Sequence, residues 1–174
     1  VMGQYETYTP IQISQYITTI ANGGERLAPH LLKEVHSASE TDEIGPLELT
    51  TERKVLNTID TAPEYMARVK EGFKAVLNSP GGYGVGYMNT SMRPAGKTGT
   101  SQSFIDTDND GRIDTETITS SFIGYAPYDD PKMSIVVTSP DSSHPNSSTD
   151  YASLVTYRTT REITQRYMEM YGID

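Results

Sequence analysis

Apolar and polar positions follow two different periods along this chain, and the change of period divides it. Behind Thr9-Pro10-Ile11-Gln12, the apolar residues Ile13, Tyr16, Ile17, Ile20 and Ala21 recur at helical spacing. Thr9 can accept from the first free backbone N–H groups, Pro10 supplies the fixed φ of a first turn, and Gln12 can reach back. The spacing therefore predicts a helix opened by a capping box. Asn22-Gly23-Gly24 stops it, because glycine takes the left-handed cap at little steric cost. Leu27 to Val35 reads as extended, with Pro29 near its start, and Ser37 to Pro46 as an exposed polar, acidic loop. Thr61-Ala62-Pro63-Glu64 has the form of a second capping box. Met66, Val69, Phe73, Val76 and Leu77 make one apolar stripe behind it. Asn78 to Gly86 holds four glycines and a proline, so the chain turns there.

The second half changes period. Ala95 to Phe104 is rich in Gly, Thr and Ser, while Ile118 to Ala126 and Lys132 to Ser139 have the β-branched and aromatic content of strands. The turn Ala126 to Pro131 joins the last two as an antiparallel hairpin. Pro140 to Thr149 reads as a polar loop. Tyr151, Leu154, Val155, Ile163, Tyr167 and Met170 then predict a long C-terminal helix ending at Gly172. The order helix, helix, three strands, helix is an α+β pattern, with helices covering a small antiparallel sheet.

Composition narrows the function classes. A length of 174 residues suits one domain or part of a larger one, and the opening Val1-Met2-Gly3-Gln4 reads as the middle of a longer protein. The formal charge of −9 argues against nucleic acid, whose phosphates attract clustered Lys and Arg. Zero cysteines exclude disulfides, zinc-thiolate sites and thiol catalysis. No apolar run is long enough to span a bilayer, and the first residues have no signal-peptide layout.

The segment with chemistry is Lys97-Thr98-Gly99-Thr100, at the head of an expected strand. The lysine supplies a positive charge at a cleft. Thr98 and Thr100, two positions apart, point to one face and can bind a carboxylate. Gly99 lets an extended ligand lie close against the strand edge, and the N–H of Thr100 can face a developing oxyanion. Such a triplet also occurs on ordinary surface strands with a solvated lysine. The residues around it decide between the two. Met2-Gly3-Gln4, Thr9-Pro10-Ile11-Gln12, Ile20-Ala21-Asn22-Gly23-Gly24, Pro29, Ala95-Gly96-Lys97-Thr98-Gly99-Thr100-Ser101-Gln102, Phe122-Ile123-Gly124-Tyr125-Ala126-Pro127 and Lys132 to Pro140 follow in order. Together they resemble the C-terminal half of the transpeptidase domain of class B penicillin-binding proteins, over nearly the whole chain.

The resemblance implies part of a penicillin-binding (β-lactamase-like) fold, spanning residues 1–174 as one fragment. It implies a D,D-transpeptidase that cross-links peptidoglycan stem peptides through a serine acyl-enzyme and is acylated by β-lactams. Lys97 and Thr100 would then be catalytic: Lys97 in the proton-relay and electrostatic set, the Thr100 N–H as half of the oxyanion hole. Thr98, Gly99, Thr100 and Gln102 would bind substrate. The family's two other motifs are absent: no serine is followed by lysine three residues on, or by asparagine two residues on. Tyr87-Met88-Asn89 imitates the second but stands too close to Lys97 and reads as a loop tyrosine. The chain is thus expected to be a fragment that a fluorescent penicillin does not label and that is marginally stable alone. Its implied partners are the missing N-terminal half, the stem peptide, β-lactams and a membrane glycan polymerase. Its implied location is the outer face of the bacterial cytoplasmic membrane. A β-lactamase or antibiotic sensor of the same fold, and a non-catalytic interaction module, are the competing expectations.

The module reading draws on Asp106-Thr107-Asp108-Asn109-Asp110-Gly111-Arg112-Ile113-Asp114. Carboxylates at Asp106, Asp108 and Asp110 alternate as in a calcium loop, with Gly111 at the sharp turn and Ile113 at the apolar position. The twelfth position is Thr117, where such loops need a bidentate Glu, and a polar hairpin tip explains the same residues. Calcium is accordingly the one cofactor the residues allow, and no other is expected. His30, His36 and His144 are scattered and lack metal spacing.

Overall fold

A computed structural model describes residues 6–41 and 43–172. The opening tetrapeptide Val1 to Gln4, and with it the Met2-Gly3-Gln4 part of the resemblance, lies outside the described residues. The first helix, α1, spans Pro10–Ala21, and its capping box forms as expected. The Thr9 hydroxyl accepts the Gln12 N–H at 3.4 Å while Gln12 Oε1 accepts the Thr9 N–H at 2.8 Å. The second helix, α2, spans Pro63–Asn78, but the second capping box does not form. The residue before a proline is kept out of the α region, so Ala62 stays extended (ψ 138°) and becomes the cap itself. Pro63 takes the first helical position, and Thr61 is left one residue too early to cap.

Strands β5 (Ala95–Ile105), β6 (Thr115–Ala126) and β7 (Met133–Ser143) form one antiparallel sheet in the order β5-β6-β7. Strand β7 overruns its expected end and includes Pro140. Proline lacks a ladder donor, but β7 is an edge strand, where an outward N–H is not needed. The register slips between Ile118 and Ser120. There Asp141 takes a left-handed φ of 50° and is tied inward. Its N–H donates to Thr119 Oγ1, and its carboxylate accepts from the buried Thr117 hydroxyl.

Side-chain alternation gives the sheet two buried faces. On one, Ala95, Ile123, Tyr125 and Val136 meet Ile17, Ile20 and Ala21 of α1 with Met66 and Phe73 of α2. On the other, Phe122, Ala126, Ile135 and Val137 meet Leu77, Tyr87, Met88, Met92, Tyr157 and Met168. The Phe122 ring stacks on Tyr87 at 4.8 Å between centroids and lies flat over the sheet. Two glycines make room for it. A Cβ at Gly96 would stand 2.6 Å from the Ile123 carbonyl oxygen and 2.8 Å from Phe122 Cζ, and one at Gly124 would stand 2.8 Å from Phe122 Cε1. Val69 of the expected α2 stripe stays exposed.

Helix α3, Tyr151–Tyr171, ends at Gly172 as expected but buries a different face. Its buried positions are Ala152, Thr156, Thr160 and Thr164, one turn apart, while Tyr151, Val155, Ile163 and Met170 are exposed. Small side chains let the helix approach β6 closely, and Thr156 and Thr164 return their hydroxyls to the carbonyls of Ala152 and Thr160 at 2.9 and 2.8 Å. That back-bonding removes most of the cost of burying a hydroxyl.

The expected single run from Leu27 to Val35 is instead split. Strands β1 (Glu25–Leu27) and β2 (Glu34–His36) pair with β4 (Val55–Thr58) and β3 (Leu47–Thr50), two strands that were not expected. The result is one bent ribbon with a loop over 37–46. β1 rests on α1, whereas β2 and β3 pack chiefly on each other.

Candidate active site

Gly96 and the close packing under Phe122 fix the start of β5, and Lys97-Thr98-Gly99-Thr100 follows directly along it. β5 lies at the edge of the sheet, with only β6 beside it among the described residues. Register pairs Lys97 with Ile123, Thr98 with Phe122, Gly99 with Ser121 and Thr100 with Ser120. Thr98 and Thr100 therefore share one face, as expected, Gln102 lies on that face too, and Lys97 starts from the opposite one. The Lys97 ammonium folds back along the strand and donates to the Thr98 carbonyl at 2.6 Å. Lys97 and Thr100 are exposed and Thr98 is half-buried.

A cavity of about 340 Å³ opens beside the triplet, lined by Ile13, Lys97, Thr98, Gly99, Ser121, Ile123 and Thr138. A second, of about 330 Å³, continues it along β5 past Ser101, Gln102, Ser103 and Thr119, with Glu6 to Tyr8 as its far wall. The two share Ile13, Ser121 and Thr138, so they form one trough. Thr100 lines neither cavity. A Cβ at Gly99 would meet nothing nearer than Ser121 Cβ at 3.7 Å, an ordinary contact. No atom of the described residues requires glycine there, in contrast to Gly96. Gln102 Nε2 donates to Glu116 Oε1 at 2.6 Å, which fixes the amide at the trough's edge.

The aspartate loop joins β5 to β6. The carboxylate oxygens of Asp106, Asp108 and Asp114 come within 4.8 Å of one another, and Asp110 is not in this group. Asp110 instead accepts the Arg112 N–H at 2.8 Å. Asp114 was outside the expected ligand set; its place at the end of the nine-residue run, facing Asp106 across the hairpin, was the signal. The loop's own donors already occupy these oxygens. Gly111 N–H donates to Asp106 at 2.8 Å, and the Thr107 and Thr115 hydroxyls each donate to Asp114 at 2.7 Å. Burial opposes ionisation of Asp106, but the N–H groups of Gly111, Asn109 and Asp110 outweigh it and hold the carboxyl below its usual range. The Thr115 and Thr107 hydroxyls lower Asp114 likewise. Three carboxylates are a hard-oxygen donor set of the kind calcium takes. Position twelve contributes nothing to it, because the Thr117 hydroxyl is committed to Asp141 at 2.7 Å.

A three-stranded antiparallel sheet with helices on both faces carries the Lys-Thr-Gly strand along its edge, an α+β arrangement that matches penicillin-binding transpeptidase domains. The family model of the penicillin binding protein transpeptidase domain matches residues 2–165, and the chain belongs to that family. It is 36% identical over 97% of its length to penicillin-binding protein 2A of Bacillus subtilis, covering 23% of that protein. It is 31% identical over 76% of its length to the peptidoglycan D,D-transpeptidase MrdA of Haemophilus influenzae, covering 20% of it. Among solved structures, penicillin-binding protein 2B of Streptococcus pneumoniae superposes with a TM-score of 0.78 at 24% identity, over 99% of this chain and 26% of that one. The chain thus spans about a fifth to a quarter of the length of these relatives. No helix among the described residues is long and apolar enough to cross a membrane.

Proposed function

We propose that this chain is the strand-bearing wall of a peptidoglycan D,D-transpeptidase, and that the rest of the parent protein supplies the nucleophile. The observation that carries the reading is the edge strand Lys97–Thr100 opening on a trough that the described residues leave uncovered, in a chain of the penicillin-binding transpeptidase family. A serine from the missing part attacks the carbonyl of a D-Ala-D-Ala terminus. The carbon–nitrogen bond breaks and D-Ala leaves with the serine's proton; an amine of a neighbouring stem peptide then takes the acyl group, breaking the acyl–oxygen bond and returning a proton to the serine.

In this reading Thr98, Thr100 and the Lys97 ammonium hold the terminal carboxylate. The Thr100 N–H stabilises the oxyanion, where one lost donor costs roughly a hundred- to a thousandfold in rate. Gly99 lets the peptide backbone lie against the strand, and Gln102, anchored by Glu116, borders the cleft. The cavity beside Lys97 takes the substrate backbone, with the segment that carries the serine across from it. β-Lactams acylate the same serine because they present a carboxylate and a strained amide in the same relation. The parent works on the outer face of the bacterial cytoplasmic membrane, beside a glycan polymerase.

Fluorescent penicillin tests this directly. The isolated chain should remain unlabelled, and the parent should label. Lys97→Ala and Thr98→Val in the parent should each slow acylation at least tenfold. Stoichiometric labelling of the isolated chain, or unchanged labelling of both variants, would reject the assignment.

A further inference from the structure

A cavity between α3 and the 85–90 loop shares no lining residue with the Lys97 trough. Its volume is about 270 Å³, just under the ~300 Å³ at which drug-sized sites begin, so it suits a short peptide end. Val85, Met88, Asn89, Thr90, Arg161 and Gln165 line it. None of these is a carboxylate, in a chain whose formal charge is −9. The cavity around Lys70 and Lys74, by contrast, carries Glu71 in its own wall.

The polar groups at this cavity are held in place. Gly86, at φ 92°, turns the loop against the Tyr157 phenol, where a Cβ would stand 3.3 Å from the phenol oxygen. The Tyr157 ring stands edge-on to Tyr87 at 5.2 Å between centroids, and Tyr87 stacks on Phe122. The phenol fixed in this way accepts from Arg161 Nη1 at 2.8 Å. No carboxylate pairs with Arg161 among the described residues, so the rest of its guanidinium fork is left to a ligand. Asn89 Oδ1 accepts from the Ser91 N–H and hydroxyl at 3.0 and 2.9 Å, which leaves the Asn89 amide nitrogen to donate. Gln165 Nε2 donates to Glu169 at 3.2 Å, which leaves Gln165 Oε1 to accept. Glu169 in turn accepts from Arg166 at 2.8 Å.

We propose that this cavity binds the carboxyl-terminal residue of a peptide, one with a small apolar side chain. The carboxylate lies on the Arg161 fork and the Asn89 amide. The residue's own N–H donates to Gln165 Oε1, and its side chain lies against Val85 and Met88. Phosphate would satisfy Arg161 but would use neither the acceptor at Gln165 nor the apolar wall. The site is separate from β5 and does not depend on Lys97 binding a stem peptide.

The probe is N-acetyl-L-valine, titrated into the intact chain and followed by amide and methionine-methyl NMR. Saturable shifts at residues 85–90, 161 and 165 and at the Met88 methyl are expected. Arg161→Gln should weaken binding at least tenfold, and Arg161→Lys should not restore it, because an ammonium lacks the planar fork that meets both carboxylate oxygens. Arg161 is exposed, so both variants should unfold in urea where the natural chain does. The shifts should persist in Lys97→Ala, whereas any shifts along β5 should be lost there. N-acetyl-L-valinamide and inorganic phosphate should each bind at least tenfold more weakly. Equal binding of either, full binding by Arg161→Gln, or shifts along β5 alone would overturn the proposal, as would a Met88 methyl that does not respond in the longer parent. N-acetyl-D-valine identifies the source: tighter binding than the L form points to a stem peptide and weaker binding to a protein chain end, and either order supports the site.

Discussion

Gly96 and Gly99 lie three residues apart on β5 and have opposite reasons to be glycine. Adding one methyl group at each separates folding from function. At position 96 the new Cβ would lie 2.6 Å from the Ile123 carbonyl oxygen and 2.8 Å from Phe122 Cζ. The carbonyl belongs to the sheet ladder and the ring is stacked on Tyr87, so neither yields cheaply. Overpacking of this kind costs about 1–3 kcal/mol. At position 99 the nearest atoms are Ser121 Cβ at 3.7 Å and the Ser121 carbonyl oxygen at 3.8 Å, both ordinary contacts. The backbone there is not left-handed. Gly99→Ala should therefore leave stability unchanged or raise it by about 0.4–1 kcal/mol, through a less flexible unfolded chain. The methyl group would nevertheless stand in the cavity beside Lys97, where the substrate backbone has to approach. Urea unfolding of the isolated chain should show a lower midpoint for Gly96→Ala and none for Gly99→Ala. Acylation of the parent by fluorescent penicillin should fall at least tenfold in Gly99→Ala, about 1.4 kcal/mol. If Gly99→Ala unfolds as early as Gly96→Ala, Gly99 serves folding; if it acylates like the natural protein, the assignment of the strand edge fails.

Tyr125 is fully buried with no hydrogen-bond partner for its hydroxyl among the described residues, and burial pushes its pKa up to about 12. The stabilisation of the neutral phenol is complete below the unfolded value near 10 and is lost as pH rises towards 12, about 2–3 kcal/mol in all. Tyr125→Phe should flatten that alkaline loss in urea midpoints measured at pH 9 to 12, and should gain about 1 kcal/mol at pH 7; equal slopes would show that the hydroxyl has a partner. Thr9→Ala should cost about 1 kcal/mol by loss of its capping box, whereas Thr61→Ala should be neutral within about 0.5 kcal/mol, and equal losses in thermal unfolding would contradict the cap at Ala62. Calorimetric titration with calcium should give no binding tighter than about 0.1 mM, since the loop's own donors occupy Asp106 and Asp114 and the bidentate ligand is absent. A micromolar constant would refute that.

Much of this architecture is legible in the residues because single positions carry strong local physics. Thr9, Pro10 and Gln12 each favour one role at a helix start, and the three roles agree. Lys97 to Gln102 is legible because the chemistry needs those residue types at adjacent strand positions. The failures share a different cause, in that tertiary contact decided them. On α3 the large apolar residues suggested the buried face, yet the sheet selected Ala152, Thr156, Thr160 and Thr164, since only short side chains permit the approach the helix makes. Their four-residue spacing was present in the sequence, but hydroxyl groups do not register as core until a partner surface is known. Pro140 likewise suggests a loop until β7 is known to be an edge strand. The ribbon was missed for the converse reason. Leu47-Glu48-Leu49-Thr50 alternates as a strand should, but three- and four-residue strands without a buried face give periodicity little to act on. The site divides along the same line. Side-chain identities on β5 were readable, whereas the path of the Lys97 ammonium to the Thr98 carbonyl depends on side-chain length and strand geometry together. That path decides whether the positive charge can meet the same carboxylate as the two threonine hydroxyls, and so whether this strand can bind a peptide terminus at all.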